Sequence, residues 1–152
     1  MYNQALEFAK LAHHGQKRLS GEPYINHPVA VAKTLQSWQL DETTIMAGLL
    51  HDTVEDGGAT REDLVKEFGE ETARLVDGVT KITQIRLTGQ TDEEFVENLR
   101  KMILVMASDL RVVFVKLADR LHNMQTLKYL SPAKQKENAK ETLEVYAPLA
   151  ER

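Results

Sequence analysis

Helix-start signals recur along this chain, and almost nothing in it reads as strand. Residues 3–13 place Ala5, Phe8, Ala9 and Ala12 on one face at helical spacing. Gly15 and the stretch Ser20-Gly21-Glu22-Pro23 interrupt that helix. Pro28 suits the first position of the next one, whose buried side is filled by Val29, Ala30, Val31, Ala32 and Leu35. Asp41 is an N-cap for a helix that carries His51 and ends at Gly57-Gly58. Thr60 caps a short helix through Leu64 to Phe68, and Gly69 separates it from an amphipathic stretch through Val76, Val79 and Ile82. Residues 86–91 read as a mobile loop. Thr91 with Glu94 forms a capping box ahead of a helix reaching about Ser108. The β-branched cluster Val112, Val113 and Val115 would suit a strand, but the apolar series continues through Leu121, Met124 and Leu127, which favours helix. Ser131-Pro132 starts a final helix. The expectation is an all-α helical bundle, one domain over residues 1–152, with connections short enough to make successive helices neighbours.

Size and composition agree with that. A chain of 152 residues, 42% hydrophobic and 28% charged, can bury a substantial core as an ordinary globular domain. No apolar run approaches a membrane span, and Met1-Tyr2-Asn3-Gln4 does not begin a signal peptide, so a cytoplasmic protein without membrane contact is expected. A net charge of −4 argues against a general nucleic-acid binder. Basic residues do cluster locally, as Lys17-Arg18, Arg100-Lys101 and Lys116 with Arg120, and one such pocket suffices for a small phosphorylated ligand. There is no cysteine, so any metal must be held by His, Asp, Glu or Asn. The sequence leaves oligomeric state open.

The chemistry concentrates in Gly48-Leu49-Leu50-His51-Asp52-Thr53-Val54-Glu55-Asp56. An apolar helix runs into a His-Asp doublet, and a second acidic pair follows within a turn. Unpaired charge in a packed interior is expensive, and a divalent cation is a natural partner for it. A helix-end histidine beside a surface carboxylate is the plain structural alternative. His27, between a turn and a helix start, would be held extended by Pro28. Asp119 and Asn123 share a helical face with Lys116, and a salt bridge from Asp119 to Lys116 or Arg120 is the plain alternative there. Two imidazoles and two carboxylates, at 27, 51, 52 and 119, make a mixed donor set that suits Mn²⁺, Fe²⁺ or Zn²⁺ better than Ca²⁺. Adjacent helical residues diverge by about 100°, so His51 and Asp52 can share a metal only off the flank between them. Glu55, one turn on, is near enough to hold a water.

Five blocks in order carry a family likeness: Gly15-Gln16-Lys17-Arg18, Gly21-Glu22-Pro23-Tyr24-Ile25-Asn26-His27-Pro28, Leu49 to Asp56, Leu75-Val76-Asp77-Gly78-Val79-Thr80-Lys81, and Lys116-Leu117-Ala118-Asp119-Arg120-Leu121-His122-Asn123-Met124. The chain resembles the hydrolase domain of the RelA/SpoT alarmone enzymes, a branch of the HD phosphohydrolase superfamily. The resemblance implies an HD-domain helical bundle that removes the 3′-pyrophosphate of (p)ppGpp, giving GDP or GTP and pyrophosphate, usually with Mn²⁺. It implies metal ligation by His27, His51, Asp52 and Asp119, and service of the hydrolytic water by Glu55 and Asp56. Asn123 matches a residue near the ribose and reacting phosphate, while Lys17, Arg18, Ser20 and Tyr24 fall where the family meets the nucleotide. Arg18 can stack on a purine, and Lys81, Lys116 or Arg120 can offset pyrophosphate charge, with a plain surface lysine or arginine the equal alternative for each of the three.

Leu19 departs from the basic residue that members often carry after the Lys-Arg pair, so a weaker phosphate grip is expected. Long members add a synthetase domain that this sequence does not supply, which implies a domain fragment or a stand-alone small hydrolase. Members without hydrolase activity typically lose the His-Asp and Glu-Asp pairs; both are present here, and a competent site is expected. Two other functions fit parts of the pattern: an HD hydrolase of another nucleotide, such as a 3′-phosphorylated dinucleotide cofactor, and a catalytically silent nucleotide sensor.

Overall fold

The computed structural model describes residues 1–87 and 91–152. Nine α-helices run in the order α1 (Tyr2–Ala12), α2 (Asn26–Ser37), α3 (Glu42–Leu50), α4 (Arg61–Phe68), α5 (Glu70–Gln84), α6 (Asp92–Ser108), α7 (Leu110–Gln125), α8 (Pro132–Glu141) and α9 (Ala147–Ala150), counted among the described residues. A 3₁₀ turn over Leu127–Tyr129 and a π-helical turn over Thr142–Tyr146 complete the chain. The fold is all-α, as the periodicity predicts. Extended pairing among the described residues is limited to one bridge between Lys17 and Pro23.

Helix α3 is the centre. It is apolar on every side, with Met46, Ala47, Gly48, Leu49 and Leu50 all buried, and a helix of that kind must lie inside a bundle. It packs against α1, α2, α5 and α7. Val31, Ala32 and Leu35 of α2, Leu75, Val76 and Val79 of α5, and Val112, Val113 and Val115 of α7 close the core around it. Gly48 permits the α2–α3 approach: a Cβ there would lie 2.6 Å from Leu35 Cδ1. The β-branched run at 112–115 is helical because its valines fill the gap between α3 and α5; burial decides over intrinsic preference. No helix among the described residues is long and apolar enough to cross a membrane.

Several boundaries fall where the local chemistry puts them. Asp41 accepts from the Thr44 amide, and both Thr60–Asp63 and Thr91–Glu94 form reciprocal capping boxes. Two boundaries differ from expectation. Helix α2 begins at Asn26, so Pro28 is its third residue rather than its first, and His27 is helical rather than extended. The first-turn amides of a helix have no intrahelical acceptor, so a proline there sacrifices no bond. Helix α3 stops at Leu50 instead of continuing to Gly57. Thr53 turns back on it, its hydroxyl donating to the Leu50 carbonyl at 2.8 Å, and the carbonyl of Thr53 then accepts from Gly57 and Ala59. His51 to Asp56 is therefore a run of turns. Of the loop read at 86–91, residues 88–90 lie outside the described residues; Leu87 is buried in the core.

Candidate metal and nucleotide site

Three segments far apart in sequence supply the centre: the first turn of α2, the turns after α3, and the middle of α7. His27 Nε2 lies 2.9 Å from Asp119 Oδ1 and 3.7 Å from Asp52 Oδ2. His51 Nε2 lies 3.0 Å from Asp52 Oδ2 and 3.5 Å from Asp119 Oδ1. All four side chains are buried. His51 keeps a helical backbone (φ −57°, ψ −29°) where α3 ends, and it meets Asp52 along the flank between the two side chains. Donor atoms of His27, His51 and Asp119 lie within 4.8 Å of one another.

Each of the four groups has a second partner that aims it. The His51 ring donates from Nδ1 to the Gly48 carbonyl at 2.7 Å. Its Nε2 is buried without a hydrogen-bond partner, facing the two carboxylates. In the neutral ring that nitrogen carries a lone pair, and a lone pair aimed between carboxylate oxygens calls for a cation. Asp52 accepts from the Tyr24 hydroxyl at 2.8 Å. Asp119 accepts from the buried Lys116 ammonium at 2.7 Å through Oδ2, leaving Oδ1 toward the imidazoles. The salt bridge offered as the plain alternative for Asp119 thus coexists with the cluster. His27 meets His122 Nδ1 to Nδ1 at 2.6 Å. A donor set of two imidazoles and two carboxylates fits a divalent transition metal ion.

The electrostatics favour added positive charge. Burial opposes ionisation of Asp119, yet Lys116 and the two imidazoles hold its carboxyl well below the usual range. Burial opposes charge on His51 too, and the Asp52 and Asp119 carboxylates reverse it, holding the ring well above its ordinary value. His27, where burial outweighs Asp119, is pushed down. Burial and the Asp52 carboxylate push the Tyr24 phenol up, so it stays a donor.

His27, Asp52 and Asp119 line a cavity of about 580 Å³, with His51 buried against the two carboxylates. Lys17, Arg18, Ser20 and Tyr24 line one side, on the loop pinned by the Lys17–Pro23 bridge, where Gly21 takes φ +87°. Arg18 donates to Thr126 Oγ1 at 3.1 Å and reaches Asn123 Oδ1 at 3.5 Å. Asn123 donates to Asp119 Oδ1 at 3.2 Å. Glu55 and Asp56 stand exposed on the rim, their carboxyls raised by partial burial and by neighbouring carboxylates. The opposite wall is Arg120, Glu141 and Tyr146: Arg120 pairs with Glu141 and lies 4.5 Å from the Tyr146 ring centre. Lys81 lies outside this cavity, on a separate cleft with Arg86 and Lys101.

Ten of the eleven residues matched to metal, water or nucleotide roles line this cavity, and the eleventh, His51, is buried against Asp52 and Asp119; of the three cations expected to offset phosphate charge, Lys116 and Arg120 line it and Lys81 does not. The sequence reading assigned no role to His122, although its position three after Asp119 put it on the right face. It also missed His13, whose ring packs 4.7 Å from Tyr24 and bonds Gln16, which in turn donates to the Asp56 carbonyl. That brace joins residues 40 apart in sequence, and no local pattern signals it.

A helical bundle with a buried His/Asp cluster drawn from two helices and the turns after a third defines a class, and an HD-domain family model matches residues 5–152. The chain belongs to the HD-domain family and, within it, to the RelA/SpoT branch. It is 54% identical over 144 residues to a guanosine-3′,5′-bis(diphosphate) 3′-pyrophosphohydrolase of Haemophilus influenzae, covering 95% of this chain and 21% of that protein. It is 52% identical over 151 residues to a GTP pyrophosphokinase of Myxococcus xanthus, covering 98% of this chain and 20% of that one. The chain thus spans about a fifth of the length of these curated relatives. A solved structure of a metazoan ortholog of SpoT, which hydrolyzes ppGpp and plays a role in starvation responses, superposes with a TM-score of 0.69 at 30% identity, covering 89% of this chain and 77% of that one.

Proposed function

We propose that this domain hydrolyses the 3′-pyrophosphate of (p)ppGpp, releasing pyrophosphate and GDP or GTP, with Mn²⁺ as the metal and the cytoplasm as its setting. The relatives carry names for both breakdown and synthesis of such nucleotides, so the names do not choose between them. The observation that carries the reading is the buried His27–His51–Asp52–Asp119 cluster opening onto a cavity with basic residues on its wall and two carboxylates on its rim. That is the equipment of a phosphate-ester hydrolase.

His27, His51, Asp52 and Asp119 would hold the ion. When bound it supplies charge to polarise the phosphoryl oxygen and lower the pKa of water. The chain's own groups do the rest. Glu55 or Asp56 accepts a proton from the attacking water, whose oxygen bonds to the phosphorus attached at the ribose 3′ oxygen. The bond from that phosphorus to the 3′ oxygen breaks, and the 3′ oxygen leaves as a hydroxyl after taking up a proton. A raised carboxyl pKa makes either residue a better base than an ordinary aspartate or glutamate. Arg18, tied to Thr126, offers its planar face to the purine, while Lys17 and Ser20 meet phosphate and Asn123 the ribose side. Lys116 is consumed by Asp119, so its role is to keep that carboxylate ionised and aimed.

The test is pyrophosphate release from ppGpp by the purified domain with Mn²⁺, beside Asp52→Asn and with a 3′-phosphorylated dinucleotide as competing substrate. Release from ppGpp that is lost in the variant and in chelator is expected. Release only from the dinucleotide would reassign the substrate, and unchanged release in Asp52→Asn would remove the cluster from the chemistry.

A further inference from the structure

We propose that His122 is a positioning residue for the metal site, and that it exchanges tautomers with His27 so that His27 can turn a lone pair toward a cation. This rests on the metal reading of the cluster.

His27 has two ring nitrogens and both are committed. Nε2 faces Asp119 Oδ1 at 2.9 Å, and Nδ1 faces His122 Nδ1 at 2.6 Å. A contact of 2.6 Å between two ring nitrogens holds a single proton, and that proton can sit on either ring. With no cation beside it, Nε2 of His27 carries hydrogen and donates to Asp119; Nδ1 is then a lone pair and accepts from Nδ1–H of His122. With a cation beside it, Nε2 must present its lone pair, so Nδ1 carries the hydrogen and donates to His122 Nδ1.

The protons balance without charging either ring. His27 gives up its Nε2 proton and takes the shared one onto Nδ1, while His122 gives up the shared proton and gains one on Nε2. That outer nitrogen has no protein partner among the described residues, and the ring is only half-buried, so solvent supplies the proton. The contact is satisfied in both arrangements. A carboxylate or carbonyl in place of His122 would accept in one arrangement and have nothing to donate in the other.

The arrangement is also held in place. His122 lies three residues after Asp119 on α7, its ring centre 4.9 Å from that of His27. One turn of α7 therefore carries a candidate ligand, Asp119, and the brace on another, His27. His51 is oriented differently, by the fixed Gly48 carbonyl, which accepts in every state. Of the two imidazoles, only His27 has a partner able to reverse its role.

The test combines tautomer and affinity. Nitrogen-15 NMR of histidine-labelled protein, metal-free and with Zn²⁺, reads the tautomers directly. His122 is expected to move from Nδ1–H to Nε2–H on Zn²⁺ addition, with His27 moving the opposite way; an unchanged His122 tautomer would overturn the proposal. Mn²⁺ affinity is then measured for wild type, His122→Asn and His122→Leu. The asparagine side chain can accept or donate at the place of Nδ1, and leucine keeps the shape without either ability. Leucine is expected to weaken Mn²⁺ binding about tenfold or more, with asparagine recovering most of it. Equal loss in both variants, or none in leucine, would overturn the proposal. Absence of Mn²⁺ and Zn²⁺ binding by wild type would remove the metal reading itself and the proposal with it. Circular dichroism of the metal-free proteins separates either result from misfolding.

Discussion

At Glu55 and Asp56 the environment works on single carboxyl groups. Partial burial and the nearby Asp52 raise both, and the Asp56 carboxylate raises Glu55 further. A base must be deprotonated to act, so pyrophosphate release is expected to fall as pH drops through a pKa above the usual carboxylate range. The pH–rate profile should shift its acid limb downward in Asp56→Asn, because one negative neighbour of Glu55 is gone. An acid limb that stays fixed in that variant would separate Glu55 from the titration. The residue scale is also where the sequence said most. His27, His51, Asp52, Asp119 and Asn123 stood out by type and spacing, because metal and phosphate chemistry restricts side chains to a short list. His122 shared the Asp119 face of α7 in the sequence, but its partner, 95 positions away, was not legible there.

At the scale of elements, local chemistry was legible wherever a side chain satisfied its own backbone. The two capping boxes and the Asp41 cap fall where their residues predict. The end of α3 was not legible, because Thr53 competes for the Leu50 carbonyl and the winner is set by tertiary packing of the turn. The π turn at Thr142–Tyr146 likewise has no periodic signature; it sits where Tyr146 meets Arg120 in the cavity wall. Gly48 joins fold and site in one position. Its missing side chain lets α2 and α3 close, and its carbonyl orients His51. Gly48→Ala is expected to lower stability by about 1–3 kcal/mol in denaturant melts. It should weaken Mn²⁺ binding in the same variant, since moving α3 moves the acceptor that aims His51. A loss of stability with unchanged metal affinity would show that the turn after α3 absorbs the shift.

Across the whole molecule, charge is distributed against its sum. The chain carries −4, yet Lys17, Arg18 and Arg86 border the cavity. A multiply charged anion is therefore repelled by the chain's net charge at long range and meets its compensating cations only at the basic side chains of a border that also carries Glu55 and Asp56. Added salt screens both, but the close contacts dominate binding, so KM for ppGpp is expected to rise with ionic strength while kcat changes little. A KM independent of salt between low and physiological concentrations would count against the basic wall as the phosphate contact. Arg120 and Glu141 act at this scale too. Their pairing fastens α8 to α7, and Glu141→Ala should raise KM more than it lowers kcat, because it loosens a wall without touching the reacting groups.

The cluster is assembled from positions 27, 51, 52 and 119, and the last is 92 residues from the first. Such a constellation cannot exist in a half-formed chain: α1 to α3 together lack the α7 carboxylate, and α7 alone lacks the imidazoles. Loop closure over that span comes late for a chain of this length. During refolding, helical signal should therefore recover before the ability to capture Mn²⁺ does. A nascent or partly unfolded copy would be mute toward a cation, and cation capture would then be a clock for the moment at which the bundle closes.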